Sequence, residues 1–547
     1  MDEEIAYPKL SPAALARLRS YGEPQDVEPG EVMFADGDPT YDLIFVQSGA
    51  VEVVRAATRD APEEVLVRVG RGNFVGELGL LTGQAVYLTA RVAEAGRVYR
   101  IPPAQVRRLM SEEAELSDVL LRAFLARRQR ISEGPGSLAF EILGRELSAP
   151  AMALRSFAKR RRLPHRWFDA DSSAGRELLQ AAGLDGSDLP VVLTPERTLR
   201  NATPGMLAEL IGFAYRPANT APADLTVVGA GPAGLAAAVY GASEGLSTVL
   251  VDAVAPGGQA AASSRIENYL GFPTGISGDE LTSRAVVQAA KFGARLFSPC
   301  EVRSLQTEQG RLAVVLADGT PIQSRAVILA TGAHYRSLAL ENWEEYVGSG
   351  IYYAATELEV KSCAGRPVTV VGGANSSGQA ALYLASRESE VTIAVRGPDL
   401  GASMSRYLVD RLIADPRIDV RVNTEVTALA GEGALSSIVL SDRARDSRED
   451  RDCSGLFCFI GADPATDWLD GLALDEHGFV LTDVQLGPRL GESGRALGRA
   501  PLPFETSVPC VFAVGDVRHD SMKRVAAAVG EGSSAVRSVH AALGVLA

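Results

Sequence analysis

No two of the five cysteines (Cys300, Cys363, Cys453, Cys458 and Cys510) stand at Cys-x-x-Cys spacing. So sparse and odd a set excludes a disulfide-stapled secreted scaffold and fits a reducing compartment. The five histidines show no metal-ligand spacing with the cysteines, so no metal site is expected. No apolar run reaches the roughly 18 residues a membrane span needs. The opening Met1-Asp-Glu-Glu-Ile5 is acidic and lacks the apolar stretch of a secretory signal. The expected location is the cytoplasm. Basic charge is also short: 54 Lys and Arg stand against 68 Asp and Glu, a formal net charge of −14. A general nucleic-acid binder carries the opposite balance. One basic run, Lys159-Arg-Arg-Arg162, reads as the solvated face of a helix.

What is present is a chain of 547 residues, 46% apolar and 22% charged, long enough for three or four domains. Residues 30–101 hold short alternating apolar runs such as Leu43-Ile-Phe-Val46, Val51-Glu-Val-Val54 and Val65-Leu-Val67. Turn signals, Asp36-Gly37 and Ser48-Gly49, separate them. This predicts an antiparallel β-roll, followed by a helical stretch from Pro103 to about Ile131. Leu43-Ile-Phe-Val-Gln-Ser-Gly-Ala-Val-Glu52 and Phe74-Val-Gly-Glu-Leu-Gly-Leu-Leu81 resemble the cyclic-nucleotide-binding domain. The resemblance places a phosphate-facing turn at Gly76, Glu77 and Leu78, with Glu77 on the ribose, and implies a cyclic nucleotide as ligand. It also implies a phosphate-pairing arginine, where this chain has Val86; Arg91 comes five residues later. A structural domain, or one with another ligand, stays open.

Gly134-Pro-Gly136 reads as a linker. Beyond it come a strand at 139–143, a helix at 151–162, a strand at 166–168, a helix at 175–182, a strand at 189–193 and a helix at 203–211. This order resembles the thioredoxin/glutaredoxin fold, in which Pro190 would be the cis proline. A redox-active member needs a cysteine at the start of its first helix. Residues 143–157 contain none, so a docking or spacer role is expected.

Leu225-Thr-Val-Val-Gly-Ala-Gly-Pro-Ala-Gly-Leu235 runs from apolar strand through glycine turn into a small-residue helix. Gly229, Gly231 and Gly234 form G-x-G-x-x-G, with Pro232 and Ala233 between, and Asp252 ends the next strand at the offset of a ribose contact. Together they mark a dinucleotide site: the first glycine turns, the second admits a pyrophosphate, the third lets helix pack on strand. Pro256-Gly-Gly-Gln259, Ile266-Glu-Asn-Tyr-Leu-Gly-Phe-Pro273, Ala330-Thr-Gly-Ala333 and Val511-Phe-Ala-Val-Gly-Asp516 then resemble thioredoxin reductases in order and spacing. The resemblance implies FAD at this site, contacted also by Gly258, Gln259, Asn268, Thr331, Gly332, Gly515, Asp516, Arg524 and Val525.

A second strand, turn and helix, Pro367-Val-Thr-Val-Val-Gly-Gly-Ala-Asn-Ser-Ser-Gly-Gln379, lies inside the first. By the same resemblance Gly372, Gly373, Ala374, Asn375 and Ser376 hold NADPH. Ala374 replaces the glycine that admits the pyrophosphate. Arg396, at the end of the following strand, suits a 2′-phosphate and tips the choice toward NADP(H); a surface arginine is the other reading. Between the two patterns, where the resembled family carries its redox-active dithiol, this chain has Ala354 and Glu357.

The expected fold is multidomain α/β. A β-roll (1–132) and a cysteine-free thioredoxin-like domain (137–216) precede two Rossmann-like domains, for FAD (224–341 and 466–547) and for NAD(P)H (342–465). Three functions stay open. The first is an NADPH-dependent FAD oxidoreductase passing electrons to an unidentified acceptor, such as a redox protein. The second is a thioredoxin reductase using an atypical or external dithiol. The third is a non-catalytic sensor or scaffold. The resemblance also implies a homodimer.

Overall fold

The computed structural model describes residues 2–59, 61–146, 148–217, 221–263, 265–266, 268–308, 311–353, 355, 357–489 and 499–544. Ala354 and the side chain of Glu357, the positions of the expected dithiol, lie outside the described residues.

The N-terminal sheet is antiparallel throughout, with Leu43–Arg55 and Thr89–Ile101 at its centre. The expected turn at Ser48-Gly49 does not form. Leu43–Arg55 is one strand of 13 residues. The extra residues are absorbed as bulges, with register shifts either side of Ser48. Gly49 takes φ +79, and a Cβ there would lie 2.5 Å from the carbonyl oxygen of Glu94. Two helices, Pro103–Glu112 and Ala114–Glu133, follow where one helical stretch is expected. Leu120, Ala123 and Phe124 of the second are fully buried against the roll.

Gly134-Pro-Gly136 is no open linker. It starts a short 3₁₀ turn, Pro135–Ala139, and Gly136 is buried against Ile131 and Leu66. The second unit is a four-stranded sheet with Glu141–Gly144 parallel to Arg166–Asp169 and antiparallel to Val191–Leu193. Its helices are Ala149–Arg160, Ser173–Ala181 and Pro204–Leu210. The Leu189–Pro190 peptide is cis, as expected. Sequence reasoning misses the two-residue edge strand Thr198–Leu199, which is too short to carry a period.

The remaining chain forms two parallel-core sheets. In the first, Ala223–Val228 lies between Thr248–Val251 and Pro321–Leu329, and Val511–Ala513 joins parallel to Pro321–Leu329. In the second, Val368–Val371 lies between Val391–Val395 and Gly455–Cys458, again parallel. These strands are buried on both faces and read as unbroken apolar runs. A two-stranded ribbon, Ala333–Tyr335 with Ala462–Pro464, runs beside the crossing points of the chain from one sheet to the other.

The basic run is a solvated face only in part, at Lys159 and Arg162. Arg161 is buried, its guanidinium 3.4 Å from the ring centroid of Phe213. Its Nη2 donates to the Leu296 carbonyl of the first dinucleotide sheet at 3.4 Å. Lys159 stands 3.9 Å from Asp279, and Tyr215 meets Phe297 edge to face at 5.1 Å. The run docks the second unit onto the first dinucleotide domain. Burial lowers the Arg161 pKa to about 9.

Candidate functional site

A cavity of about 790 Å³ opens beyond the carboxyl ends of the first parallel strands, where open α/β sheets bind ligands. Its floor is the first glycine turn. Gly229 takes φ +102, and a Cβ there would stand 2.3 Å from the Ala330 carbonyl oxygen. Gly234 packs its helix on that turn so closely that a Cβ would lie 1.8 Å from the Gly229 oxygen. Gly231 differs: its Cβ would meet nothing nearer than the Gly258 Cα at 3.9 Å. The space it keeps empty is the cavity itself. Gly231 also caps the helix Pro232–Ser243 without a side-chain hydrogen bond, so the N–H groups and positive end of that helix suit an anion at that place. The residues fit a pyrophosphate.

Asp252 lines the cavity, and its carboxylate holds the turn. Its Oδ2 accepts from Ala230 N at 2.7 Å, and its Oδ1 from Val254 N at 3.0 Å and Ala255 N at 2.9 Å. The carboxylate thereby ties the turn to the end of the second strand. Burial pushes its pKa up, against those three donors.

Pro232, Ala233, Gly258, Gln259, Thr331, Gly332, Gly515, Asp516, Arg524 and Val525 all line the same space. Gln259 Nε2 donates to the Ala333 carbonyl. Thr331 Oγ1 donates to Ala465 O at 3.0 Å, and Gly515 N to Glu531 Oε2 at 2.7 Å. Arg524 caps the C-terminal helix Val525–Ala542. Asn268 is not brought here: it is exposed and lines no part of the cavity.

Among the lining groups that escape sequence reasoning, Arg160, Cys300, Tyr335 and Tyr353 stand out. Arg160, the last residue of helix Ala149–Arg160 in the second unit, reaches the cavity and has no acidic partner among the described residues. Its charge is felt by both Asp252 and Tyr335. No spacing rule singles it out of a run of four basic residues. Cys300 lines the cavity beside Asp252, whose carbonyl accepts from its N–H at 2.7 Å. Tyr335 and Tyr353 line it as a stacked pair, with centroids 5.5 Å apart and planes within 4°. Trp343 Nε1 donates to the Tyr353 hydroxyl at 2.8 Å. Tyr353 and Ala355, the sequence neighbours of Ala354, both line this cavity.

The second glycine turn keeps its first glycine: Gly372 has φ +135, and a Cβ there would lie 2.3 Å from Phe459 O. Gly373 packs beside Val395. Ala374 is exposed and caps the helix Asn375–Ser386. Asn375 Oδ1 accepts from Ser405 N at 2.7 Å. Ser376 and Gln379 line the cavity of the first turn, so the two turns open toward a shared space. Arg396 is exposed at its strand end, with no acidic partner among the described residues.

The thiols of Cys363 and Cys453 are buried and donate to the carbonyls of Ser454 and Gly455, at 3.5 and 3.3 Å. Burial pushes Cys363 up to about 12 and Cys458 to about 11.

In the β-roll, Gly76, Glu77 and Leu78 lie at the expected turn, and Gly76 and Glu77 line a separate cavity. Glu77 is already paired, its Oε2 2.6 Å from Arg128 Nη2 and its Oε1 accepting from Gly79 N at 2.8 Å. Arg91 is paired with Glu52 at 2.5 Å and Glu63 at 2.9 Å, so it does not replace the missing phosphate arginine.

Residues 223–532 match the pyridine nucleotide-disulphide oxidoreductase family, and residues 24–113 the cyclic nucleotide-binding domain. The thioredoxin reductase of Treponema pallidum (strain Nichols) is 32% identical over 320 residues, which are 58% of this chain and 95% of that one. That of Bacillus subtilis (strain 168) is 31% identical over 319 residues, 58% of this chain and 93% of the relative. The crystal structure of T. acidophilum thioredoxin reductase superposes with a TM-score of 0.52 at 30% identity, covering 58% of this chain and 98% of that one. The matched span carries both glycine turns and the cavity between them, and through it the chain belongs to the pyridine nucleotide-disulphide oxidoreductase family.

Proposed function

We propose that this protein takes electrons from NADPH onto FAD and passes them to an acceptor outside the chain without an internal dithiol. The observation that carries this reading is the lining of the large cavity. Tyr353 and Ala355 border it where the family's dithiol is expected, and Cys300 is the one thiol among its described lining residues. Bound FAD would supply the electron-carrying chemistry there. The chain's own groups hold and shape: Gly231 leaves room, the N–H groups opening helix Pro232–Ser243 neutralise charge, and Asp252 fixes the turn. The Tyr335–Tyr353 stack walls the cavity and limits water. Arg396 favours NADPH over NADH, since its exposed guanidinium suits a 2′-phosphate.

The reading keeps the division of the chain at 1–132, 137–216, 224–341 with 466–547, and 342–465, and takes the protein as a cytoplasmic homodimer. A sensor or scaffold role has one observation in its favour, the methyl of Ala374 at the second turn. Anaerobic titration of the flavin-loaded protein with NADPH and with NADH separates the two. Rapid bleaching of flavin absorbance, faster with NADPH, is expected. No bleaching by either coenzyme would overturn the oxidoreductase reading and leave the sensor.

A further inference from the structure

A cavity of about 490 Å³ opens in the β-roll, within the roughly 300–1,000 Å³ of small-molecule sites. Most of its wall is aliphatic: Val53, Leu66, Val67, Val75, Val86 and Leu88 line it. Its charged groups do not cancel. Glu64 lies 3.3 Å from Arg55, and Glu77 lies 2.6 Å from Arg128, so both carboxylates are matched within the protein. Glu133, which accepts from Gln129 at 2.9 Å, is left against Arg127 and Arg130. The wall therefore carries an excess of one positive charge.

The two arginines meet at one ring. The guanidinium carbons of Arg127 and Arg130 lie 4.8 and 6.0 Å from the ring centroid of Tyr7, which itself lines the cavity. Arg127 is buried and donates to the carbonyls of Ala6 and Gly76, each at 2.7 Å, and to Asn73 Oδ1 at 3.3 Å. These acceptors are neutral, whereas buried charges are ordinarily paired with charge. Arg130 is exposed beside the same ring, with no acidic partner among the described residues. Both charges act on Tyr7. An aliphatic space thus ends in a positive rim.

We propose that this cavity binds a medium-chain alkyl carboxylate, its chain along the aliphatic wall and its carboxylate at Arg130 on the Tyr7 side. Burial of the chain drives binding. Arg130 selects the charge of the head group and, being exposed, lets the carboxylate keep part of its hydration. A cyclic nucleotide fits less well. Val86 stands where its phosphate would pair with an arginine. Glu77, the ribose group of the resembled domain, is held by Arg128 and the Gly79 N–H.

The test is a calorimetric titration of the full-length, flavin-loaded protein with sodium octanoate, with 1-octanol and octylammonium as head-group controls. One saturable octanoate site per chain is expected, with 1-octanol weaker and octylammonium weaker still. Arg130→Gln changes an exposed side chain, so the fold should stand. It should weaken octanoate about two- to fivefold, the range of one exposed ion pair, and leave 1-octanol unchanged. Val67→Trp, which fills the cavity, should abolish binding of both; Val53→Phe serves if that variant does not fold. Millimolar cyclic AMP should leave octanoate in place. The proposal is overturned by the absence of a saturable site, by octylammonium binding as well as octanoate, or by undiminished binding in the filled variant. It is equally overturned if Arg130→Gln leaves octanoate unchanged or weakens 1-octanol as much, or if cyclic AMP displaces octanoate.

Discussion

The two glycine turns of the chain share one backbone and part at two side chains. Gly229 and Gly372 both take positive φ, and a Cβ on either would also stand 2.3 Å from a carbonyl oxygen. Two residues on, Gly231 (φ −73, ψ −176) and Ala374 (φ −98, ψ 176) adopt nearly the same extended conformation. Alanine therefore strains nothing at residue 374, and its methyl affects only a ligand. The third position differs in packing. At Gly234 a Cβ would collide with Gly229 O at 1.8 Å. Ser377 is buried in the corresponding place and donates its hydroxyl to Ala374 O at 2.6 Å. The second helix thus stands off far enough for a side chain. The first turn leaves room above Gly231, and the second keeps the shape with a methyl in that place.

The largest effect should come from making the first turn like the second. Gly231→Ala is compatible with its backbone but puts a methyl into the cavity. Overpacking of this kind typically costs about 1–3 kcal/mol, so FAD should bind roughly ten- to a hundredfold more weakly. Flavin fluorescence on dilution reads this, and the unfolding transition of the apoprotein should barely move. Unchanged FAD retention would mean that the pyrophosphate does not lie over Gly231.

Next in size is a contact that the family span does not contain. Arg160 enters the large cavity from the second unit, where its charge acts on Asp252 without a close ion pair to a described acid. Arg160→Ala should weaken FAD about three- to tenfold, the range of one charge-assisted hydrogen bond. Arg160→Lys should recover part of the loss. Equal FAD affinity in the alanine variant would leave Arg160 as a rim charge only. The reverse exchange at the second turn is smaller: Ala374→Gly should tighten NADPH by less than about tenfold. Flavin bleaching at limiting coenzyme checks it, and no change would show that the methyl does not meet the dinucleotide.

How far the sequence discloses the molecule follows the range of the forces involved. Gly229, Gly231, Gly234 and Gly372 are legible because local sterics fix them within one strand–turn–helix unit. The fully buried parallel strands are legible as apolar runs. Ser48-Gly49 misleads because a bulge and a turn use the same residues, and only the neighbouring strand decides between them. Arg160 and Arg161 look like any basic helix end. The burial of Arg161 depends on where Phe213 and Leu296, far along the chain, come to lie. Asp252 is found by its offset from the turn, but its three backbone partners depend on loop geometry that no motif encodes. The Tyr335–Tyr353 stack joins two segments that no single motif spans.

The last comparison sets the chain's thiols against the dithiol its family leads one to expect. A thiol that relays electrons needs thiolate character and access. Here burial raises every thiol: Cys363 to about 12, Cys458 to about 11, and Cys300, Cys453 and Cys510 in the same direction. At pH 8 all five should remain protonated, and four of them lie buried. A disulfide-exchange reagent such as DTNB should therefore react with at most the partly exposed Cys510 in the native protein, and with all five after denaturation. Prior reduction of the flavin by NADPH should leave that count unchanged, since no dithiol is coupled to it. Two further fast-reacting thiols appearing on reduction would break the comparison. They would show a redox pair formed within the chain and return it to the dithiol mechanism.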